Sequence, residues 1–258
     1  MSKIYKAFEN KKAFIPFITG GDLSLDVTKE LIIAMEQAGA DLIEIGIPFS
    51  DPIAEGIVIQ EADERSLAAG TTTDKLFDMV KEVRETVKIP MVFMTYVNPI
   101  FTYGKEKFMK RCVECDIDGI IVPDVPFEER MELLPICEKY GIDLISMIAP
   151  TSDERIHAIA KEAKGFLYCV SSLGVTGVRS EIKTDIGAMV SMVKEVTDIP
   201  VAVGFGISTP EQAKKMASLS DGAIVGSAIV KIVAQYGKSS VPKVAGYVKK
   251  MKAAVEEG

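Results

Sequence analysis

Residues 13–46 read AFIPFITGGDLSLDVTKELIIAMEQAGADLIEIG. The apolar run from Ala13 to Ile18 indicates a buried strand, and the glycines that follow it mark the end of that strand. Apolar residues then recur at helical spacing up to Gly39, a typical helix stop. Because a second apolar run begins at Asp41, the stretch predicts a strand, a helix and a strand that pairs in parallel with the first.

The same pattern continues along the rest of the chain. Six further apolar runs, separated by amphipathic helical stretches, predict strands at residues 89–95, 119–122, 143–147, 166–170, 200–203 and 222–226. Eight strands that alternate with helices, without a linker, favour a (β/α)8 TIM barrel, with an open doubly wound sheet as the alternative. We therefore expect residues 1–258 to form a single domain.

Two additions to the basic barrel are expected. Residues 2–10 predict a short extra N-terminal helix that covers the bottom of the barrel. The second strand is followed by two helical stretches, near 58–69 and 73–87, so the second βα loop is elaborated.

Two helix starts carry capping signals. Thr151 with Glu154 three residues later has the pattern of a capping box, and Thr209 precedes a proline at the first helical position. We expect helices to begin directly after these two threonines.

The composition excludes several classes of protein. Of the 258 residues, 48% are hydrophobic and 26% are charged, which is typical of a globular chain. The net charge of −7 disfavours nucleic acid and anionic membranes as partners. Because no apolar run has the length of a signal peptide or of a bilayer span, we expect a cytoplasmic protein with no membrane attachment.

The cysteines do not indicate a disulfide framework or a metal site. Cys112 and Cys115 form a C-x-x-C pattern, but a zinc site would need a second pair or nearby histidines, and the only histidine is His157. We expect free thiols and no bound metal.

Glu44 is the first candidate for chemistry. Active sites of parallel barrels form at the carboxyl ends of the strands, and Glu44 lies inside the apolar run Leu42–Gly46. Burial raises the pKa of a carboxyl group, which enables it to give and take protons near neutral pH. The alternative is a structural glutamate paired with a buried lysine or arginine.

The loop that follows supplies further carboxylates. Residues 48–56 contain two prolines, a glycine, Asp51 and Glu55. Such a loop can direct a second carboxylate back over the strand end, and two carboxylates in different environments can divide the roles of acid and base. Simple exposure to solvent is the alternative for each of them.

Glycines near the end of the chain indicate a phosphate site. Gly204-Phe-Gly-Ile follows the seventh strand, and Gly226-Ser227 follows the eighth and opens a helix.

Residues 172–177 follow the sixth strand and contain two glycines, which favours a mobile lid. Tyr168 in the sixth strand either presents its hydroxyl to the site or packs in the barrel.

Together these segments resemble the tryptophan synthase alpha chain family along essentially the whole chain. The segments that carry the resemblance are Phe14–Thr19, Ile43–Ala54, Asp124–Pro126, Gly174–Gly177, Gly204–Ser208 and Gly226–Lys231. The pattern E-x-G-x-P-F-S-D-P that begins at Glu44 is highly specific.

The resemblance implies a role for each site residue. Glu44 is the expected acid and base. The family has an aspartate in an A-D-G-P segment where this chain has Ala54-Glu55-Gly56-Ile57, so Glu55 is the expected second carboxylate. The residues expected to bind substrate are Phe17, Tyr96, Tyr168 and Phe205 around the indole, Gly177, Gly206, Gly226 and Ser227 around the phosphate, and Thr176 on the lid.

The implied activity is that of a carbon–carbon lyase, which splits indole-3-glycerol phosphate into indole and glyceraldehyde-3-phosphate without a cofactor. The implied partner is a tryptophan synthase beta subunit that carries pyridoxal phosphate in an alpha2beta2 complex, with exposed loops at residues 51–60 and 98–103 as the contact surface. The alternatives are another phosphate-binding barrel isomerase and a catalytically impaired subunit that binds and activates a beta subunit.

Overall fold

The computed structural model describes residues 3–170, 185–204 and 206–258. Its strands are β1 (Ala13–Thr19), β2 (Ile43–Gly46), β3 (Met91–Met94), β4 (Gly119–Ile121), β5 (Asp143–Leu144), β6 (Ser146–Ile148), β7 (Leu167–Val170), β8 (Val201–Gly204) and β9 (Gly222–Val225). Its α-helices are α1 (Leu25–Gln37), α2 (Ile57–Ala68), α3 (Thr73–Val83), α4 (Val97–Tyr103), α5 (Lys105–Glu114), α6 (Leu134–Tyr140), α7 (Asp153–Glu162), α8 (Ile186–Lys194), α9 (Pro210–Leu219), α10 (Ser227–Tyr236) and α11 (Ser240–Glu256). Short 3-10 helices span Lys3–Ala7, Phe127–Glu132 and Gly237–Ser239.

The strands form one parallel sheet that closes into a barrel. Their order is β5-β4-β3-β2-β1-β9-β8-β7-β6, and every neighbouring pair is parallel. The two ends of this order, β5 and β6, are separated only by Ile145, whose N–H donates to the carbonyl of Ile120 at 2.9 Å. β5 and β6 are therefore two halves of the predicted fifth strand. The closed barrel is confirmed, and the open sheet is excluded.

Side-chain alternation along the strands separates two apolar layers. In β1, Ile15 and Phe17 join the cluster inside the barrel, while Phe14 and Ile18 join the cluster between the barrel and its helices. Leu42, which precedes β2, belongs to the inner cluster. A residue two positions further along the same strand points the same way, so the backbone of β2 directs Glu44 into the barrel.

The extra N-terminal helix is confirmed as the 3-10 helix Lys3–Ala7. Its Ile4 is fully buried and, with Phe8, joins the inner cluster. Gly119 at the start of β4 leaves room for this plug, because a Cβ there would lie 3.0 Å from the Ile4 Cδ1 atom. The amino-terminal end of the barrel is thus filled.

The elaborated second βα loop is confirmed as well, because α2 and α3 both lie between β2 and β3. Of the two capping signals, the one at Thr209 is correct: its hydroxyl accepts from the Gln212 N–H at 3.3 Å, and the Gln212 side chain accepts from the Thr209 N–H at 3.2 Å. The one at Thr151 is wrong, since Ser152 is the N-cap of α7 and makes no side-chain capping bond. Among the residues that the structure describes, no helix is both long and apolar enough to cross a bilayer.

Candidate active site

Glu44 lies in β2 with its side chain in the barrel interior and is 1% exposed. Within the described part of the chain it forms no ion pair with a lysine or arginine, and its Oε2 atom accepts no hydrogen bond. Burial, and secondarily the negative charge of Glu55, raise the pKa of Glu44 to about 8. The structural alternative, a salt bridge to a buried cation, is therefore not what the structure shows.

Two aromatic side chains lie near Glu44, and each packs against glycine residues at the ends of neighbouring strands. Phe17 pairs with Glu44 in the β1–β2 register. Its ring lies against Gly46 and Gly226, where a Cβ would be 2.8 Å from Cζ and 3.1 Å from Cδ1, respectively. Tyr168 lies across Gly204 in the same way. These close approaches require glycine at the strand ends and leave flat aromatic faces beside the carboxyl group.

Tyr168 is buried, and burial together with the nearby charge of Glu44 raises the pKa of its hydroxyl well above the usual value. It therefore stays protonated at neutral pH. Of the two interpretations left open for Tyr168, packing in the barrel is what the structure shows, with the hydroxyl near the carboxyl group of Glu44.

Glu55 is the loop carboxylate that turns inward. It is 5% exposed, whereas Asp51 in the same loop is exposed to solvent. The Gln60 side chain donates to the Glu55 carbonyl at 2.7 Å, which fixes the backbone just before α2 begins. Burial raises the pKa of the Glu55 carboxyl group, while hydrogen bonds with Asp63 and Tyr96 act in the opposite direction.

Tyr96, at the start of α4, is oriented by two neighbours. The Ala54 N–H donates to its hydroxyl oxygen at 3.1 Å, which leaves the phenolic hydrogen available for Glu55. The Asp124 carboxylate accepts from the Val97 N–H at 3.0 Å and so ties the loop after β4 to the first turn of α4. Tyr96 is buried beside the ring of Phe49, with centroids 5.4 Å apart.

Asp63 is a site residue that the sequence analysis missed. It lies on the buried face of α2 with Ile59, Ala62 and Ser66, and it interacts with the side chain of Glu55. Burial, followed by the charge of Glu55, raises the pKa of Asp63 to about 9. The signal was present in the sequence, because helical spacing places Asp63 on the same face as the apolar residues of this helix.

Helix α2 is held firmly against the loop after β1. Arg65 makes two hydrogen bonds to the carboxylate of Asp22, at 2.8 and 3.0 Å, and the Ser66 hydroxyl donates to the Gly20 carbonyl at 2.7 Å. The helix that carries Asp63 therefore has a fixed position relative to the strand ends.

Three of the candidate phosphate residues, Gly206, Gly226 and Ser227, follow neighbouring strands. β8 and β9 are neighbours in the barrel, so Gly206 after β8 and Gly226 after β9 are at adjacent strand ends. Gly226 is the N-cap of α10 and Ser227 its first residue, where backbone N–H groups lack partners within the helix. Gly206 has a φ of 79°, which favours glycine. Thr176, Gly177 and Phe205 lie outside the described residues.

The four cysteines are free and buried, and no group of side chains suited to a metal ion occurs among the described residues.

The two segments expected to form a contact surface were predicted to be loops, but both contain helix. Residues 98–103 are not a loop, because α4 covers them, and the second half of residues 51–60 is the first turn of α2.

A closed parallel barrel with buried carboxyl groups that have no cationic partner among the described residues, near the carboxyl ends of its strands, is typical of barrel enzymes that use acid–base catalysis. The family model described as tryptophan synthase alpha chain matches residues 5–256. The chain belongs to the tryptophan synthase alpha chain family. This membership confirms the predicted lyase function, the cleavage of indole-3-glycerol phosphate in tryptophan biosynthesis.

Individual relatives match over nearly the full length. The chain is 47% identical to the tryptophan synthase alpha chain of Lacticaseibacillus casei over 256 residues, 99% of this chain and 96% of that protein. It is 50% identical to that of Caldanaerobacter subterraneus over 227 residues, 88% of this chain and 87% of that protein. Its structure is similar to that of tryptophan synthase subunit alpha from Legionella pneumophila, with a TM-score of 0.91, 35% identity and coverage of 100% of both chains.

Proposed function

We propose that Glu44 is the acid and base of the lyase reaction and that Glu55 stabilises the positive charge that develops on the indole ring. The observation that carries this proposal is the environment of Glu44, which is buried, has no cationic partner among the described residues and has a pKa raised to about 8. Such a carboxyl group is protonated at neutral pH yet gives up its proton readily.

The reaction proceeds in two proton transfers with this pair. Glu44 gives its proton to C3 of the indole ring, and the ring nitrogen becomes positively charged while its N–H hydrogen bonds to the Glu55 carboxylate. The Glu44 carboxylate then takes the proton of the hydroxyl next to the scissile bond. That carbon becomes the aldehyde of glyceraldehyde-3-phosphate, and the bond electrons return to the ring and neutralise the nitrogen. Glu44 ends protonated, so no cofactor or metal is consumed or required.

The remaining site residues would hold the substrate. Phe17, Tyr96 and Tyr168, all buried, would line the side of the site at which the indole ring lies, and the N–H groups at the start of α10 would receive the phosphate. Thr176, Gly177 and Phe205 keep the roles that the family resemblance implies, as predictions. The expected cytoplasmic location and the single-domain organisation of residues 1–258 stay predictions as well.

The rate of indole release should depend on pH through Glu44. Because the reaction begins with a protonated Glu44, kcat/KM is expected to be lost as pH rises through about 8, about tenfold for each further unit. The measurement is kcat/KM for indole release from indole-3-glycerol phosphate between pH 6.5 and 10. A profile that stays flat up to pH 10 would contradict the assignment, and the exposed Glu30→Gln variant on α1 provides a control with the wild-type profile.

The chain is also proposed to bind a tryptophan synthase beta subunit in an alpha2beta2 complex, with pyridoxal phosphate confined to that partner. Apolar side chains that are unusually exposed support this surface: Ile53 is 72% exposed before α2 and Phe101 is 44% exposed on α4. Both lie in segments that follow the carboxyl ends of strands, the end of the barrel at which Glu55 also lies. Burial of such side chains against a partner is a favourable contribution to binding.

Replacing Ile53 with aspartate should weaken binding of a beta subunit at least about tenfold, because a charge would be buried without a partner at an apolar contact. The measurement is a calorimetric titration of the full-length variant with a beta subunit. Leu219→Asp, which introduces the same charge at the end of α9, is the matched control and should bind like the wild type. Equal affinities for all three proteins would place the interface elsewhere.

A further inference from the structure

Asp63 is a buried carboxyl group that the reaction scheme does not use. It is 4% exposed, and none of the described lysines or arginines forms an ion pair with it. A charged side chain on the buried face of a helix is costly unless it has a partner. Its partners are the Phe49 N–H, which donates to Asp63 Oδ2 at 3.5 Å, and the side chain of Glu55.

Several groups face Asp63 from the surrounding elements. Those that titrate are Glu55 from the loop before α2 and Tyr96 from the start of α4. Further out, Glu44 of β2 interacts with Glu55, and Asp124 from the loop after β4 interacts with Tyr96. The Thr19 hydroxyl of β1 lies beside it. Arg65, two residues further along α2, is already engaged by Asp22. The charged neighbour of Asp63 is thus another carboxyl group, and the arginine on the same helix neutralises a different carboxylate.

Two carboxyl groups in contact without a cation cannot both be ionised near neutral pH, so one of them retains a proton. Helix α2 buries Asp63 beside Glu55, and burial and the charge of Glu55 raise the pKa of Asp63. The Phe49 N–H, at 3.5 Å, and the Thr19 hydroxyl favour the ionised form of Asp63 but are outweighed, so the proton lies on Asp63. Glu55 receives a second donor, the Tyr96 hydroxyl, which favours its ionised form.

We propose that Asp63 is a positioning residue, whose protonated carboxyl group donates a hydrogen bond to Glu55 and keeps Glu55 ionised and directed into the site. This inference rests on the charge-stabilising role proposed for Glu55. The interaction with Glu55 raises the pKa of Asp63, and the interaction with Asp63 lowers that of Glu55, as expected for this direction of donation. The pair therefore carries a single negative charge up to about pH 9.

The test compares Asp63→Ala with Asp63→Asn in the full-length chain. Alanine removes the donor, so the pKa of Glu55 rises and the acid limb of the kcat–pH profile is expected to move upward by about one to two pH units. Asparagine still donates to Glu55 through its amide nitrogen and accepts from Phe49 through its oxygen. Its acid limb should lie within a few tenths of a unit of the wild type.

Equal shifts in both variants, or no shift in either, would overturn the positioning role. In a Glu55→Gln background, Asp63→Ala should cause less than a twofold further loss of kcat, because Asp63 acts through Glu55. A further tenfold loss would show that Asp63 acts by another route. Melting temperatures of all variants separate these effects from simple unfolding.

Infrared spectra of the resting chain test the shared proton without any turnover. The wild-type-minus-Asp63→Asn difference spectrum at pH 7 should contain a protonated carboxyl band that disappears near pH 9. Absence of that band overturns the inference. Full turnover by Glu55→Gln would instead overturn the role proposed for Glu55, so the two failures are distinguishable.

Discussion

Replacing Glu44 with glutamine is expected to lower kcat for indole release by about 10³- to 10⁴-fold. The amide keeps the size of the side chain but cannot give a proton to C3 or take one from the hydroxyl, so both proton transfers are lost. Binding of inorganic phosphate, measured by calorimetry, should remain within about twofold of the wild type. Turnover near the wild-type rate would exclude Glu44 as the acid and base.

The same variant should be more stable than the wild type at neutral pH. The carboxyl group of Glu44 binds its proton up to about pH 8 in the folded chain, but only up to about 4.5 in the unfolded chain. Between these values the folded state binds more protons, so stability falls as pH rises. Glutamine removes this dependence and should add about 3 kcal/mol to the free energy of unfolding at pH 7.

Measuring that free energy by urea denaturation at pH 5, 7 and 9 checks the sign. The difference between Glu44→Gln and wild type should grow from pH 5 to 7 and change little above pH 8. A glutamine variant less stable than wild type at every pH would mean that Glu44 has a structural partner. The Glu30→Gln variant on α1 should show no such growth.

Much of the site could be predicted because strand geometry is local. A strand alternates its side chains, so once Leu42 is assigned to the interior, Glu44 must point there too. The order of parallel strands then places Gly206 and Gly226 at adjacent ends without further information. The first feature depends only on residues close together in the sequence. The second depends on the crossover connections between parallel strands, which are nearly always right-handed.

The parts that could not be predicted depend on contacts between distant segments. Helical spacing predicts that Asp63 is buried, but its contact with Glu55 in the preceding loop depends on how that loop folds back, which the spacing does not give. The division of the fifth strand at Ile145 is likewise not visible in its apolar run, because it depends on the pairing of β5 with β4 and of β6 with β7. Thr151 is not the cap, because α7 begins at Asp153 and the residue directly before it is Ser152, also a good N-cap residue with extended backbone.

Replacing Glu55 with glutamine is expected to lower kcat by about 10²- to 10³-fold, because the neutral amide no longer stabilises the charge on the indole ring. The more informative change is Glu55→Asp, which restores the residue type that the family resemblance implies. Aspartate is one methylene shorter, so its carboxylate would lie about 1 Å further from the substrate and from its present partners. Since Asp63 and Tyr96 bind the carboxylate of the longer side chain, we expect Glu55→Asp to be about tenfold to 100-fold slower than wild type.

The measurement is indole release by wild type, Glu55→Gln and Glu55→Asp, each alone and with a beta subunit. The surroundings of Glu55 are suited to glutamate: Gln60 fixes its backbone carbonyl, Tyr96 is oriented by the Ala54 N–H, and α2 is anchored through Arg65. A wild type faster than Glu55→Asp shows that the loop has adapted to glutamate. If only Glu55→Asp releases indole, the chain has lost the geometry of its second carboxylate, and its main role is then to bind and activate the beta subunit.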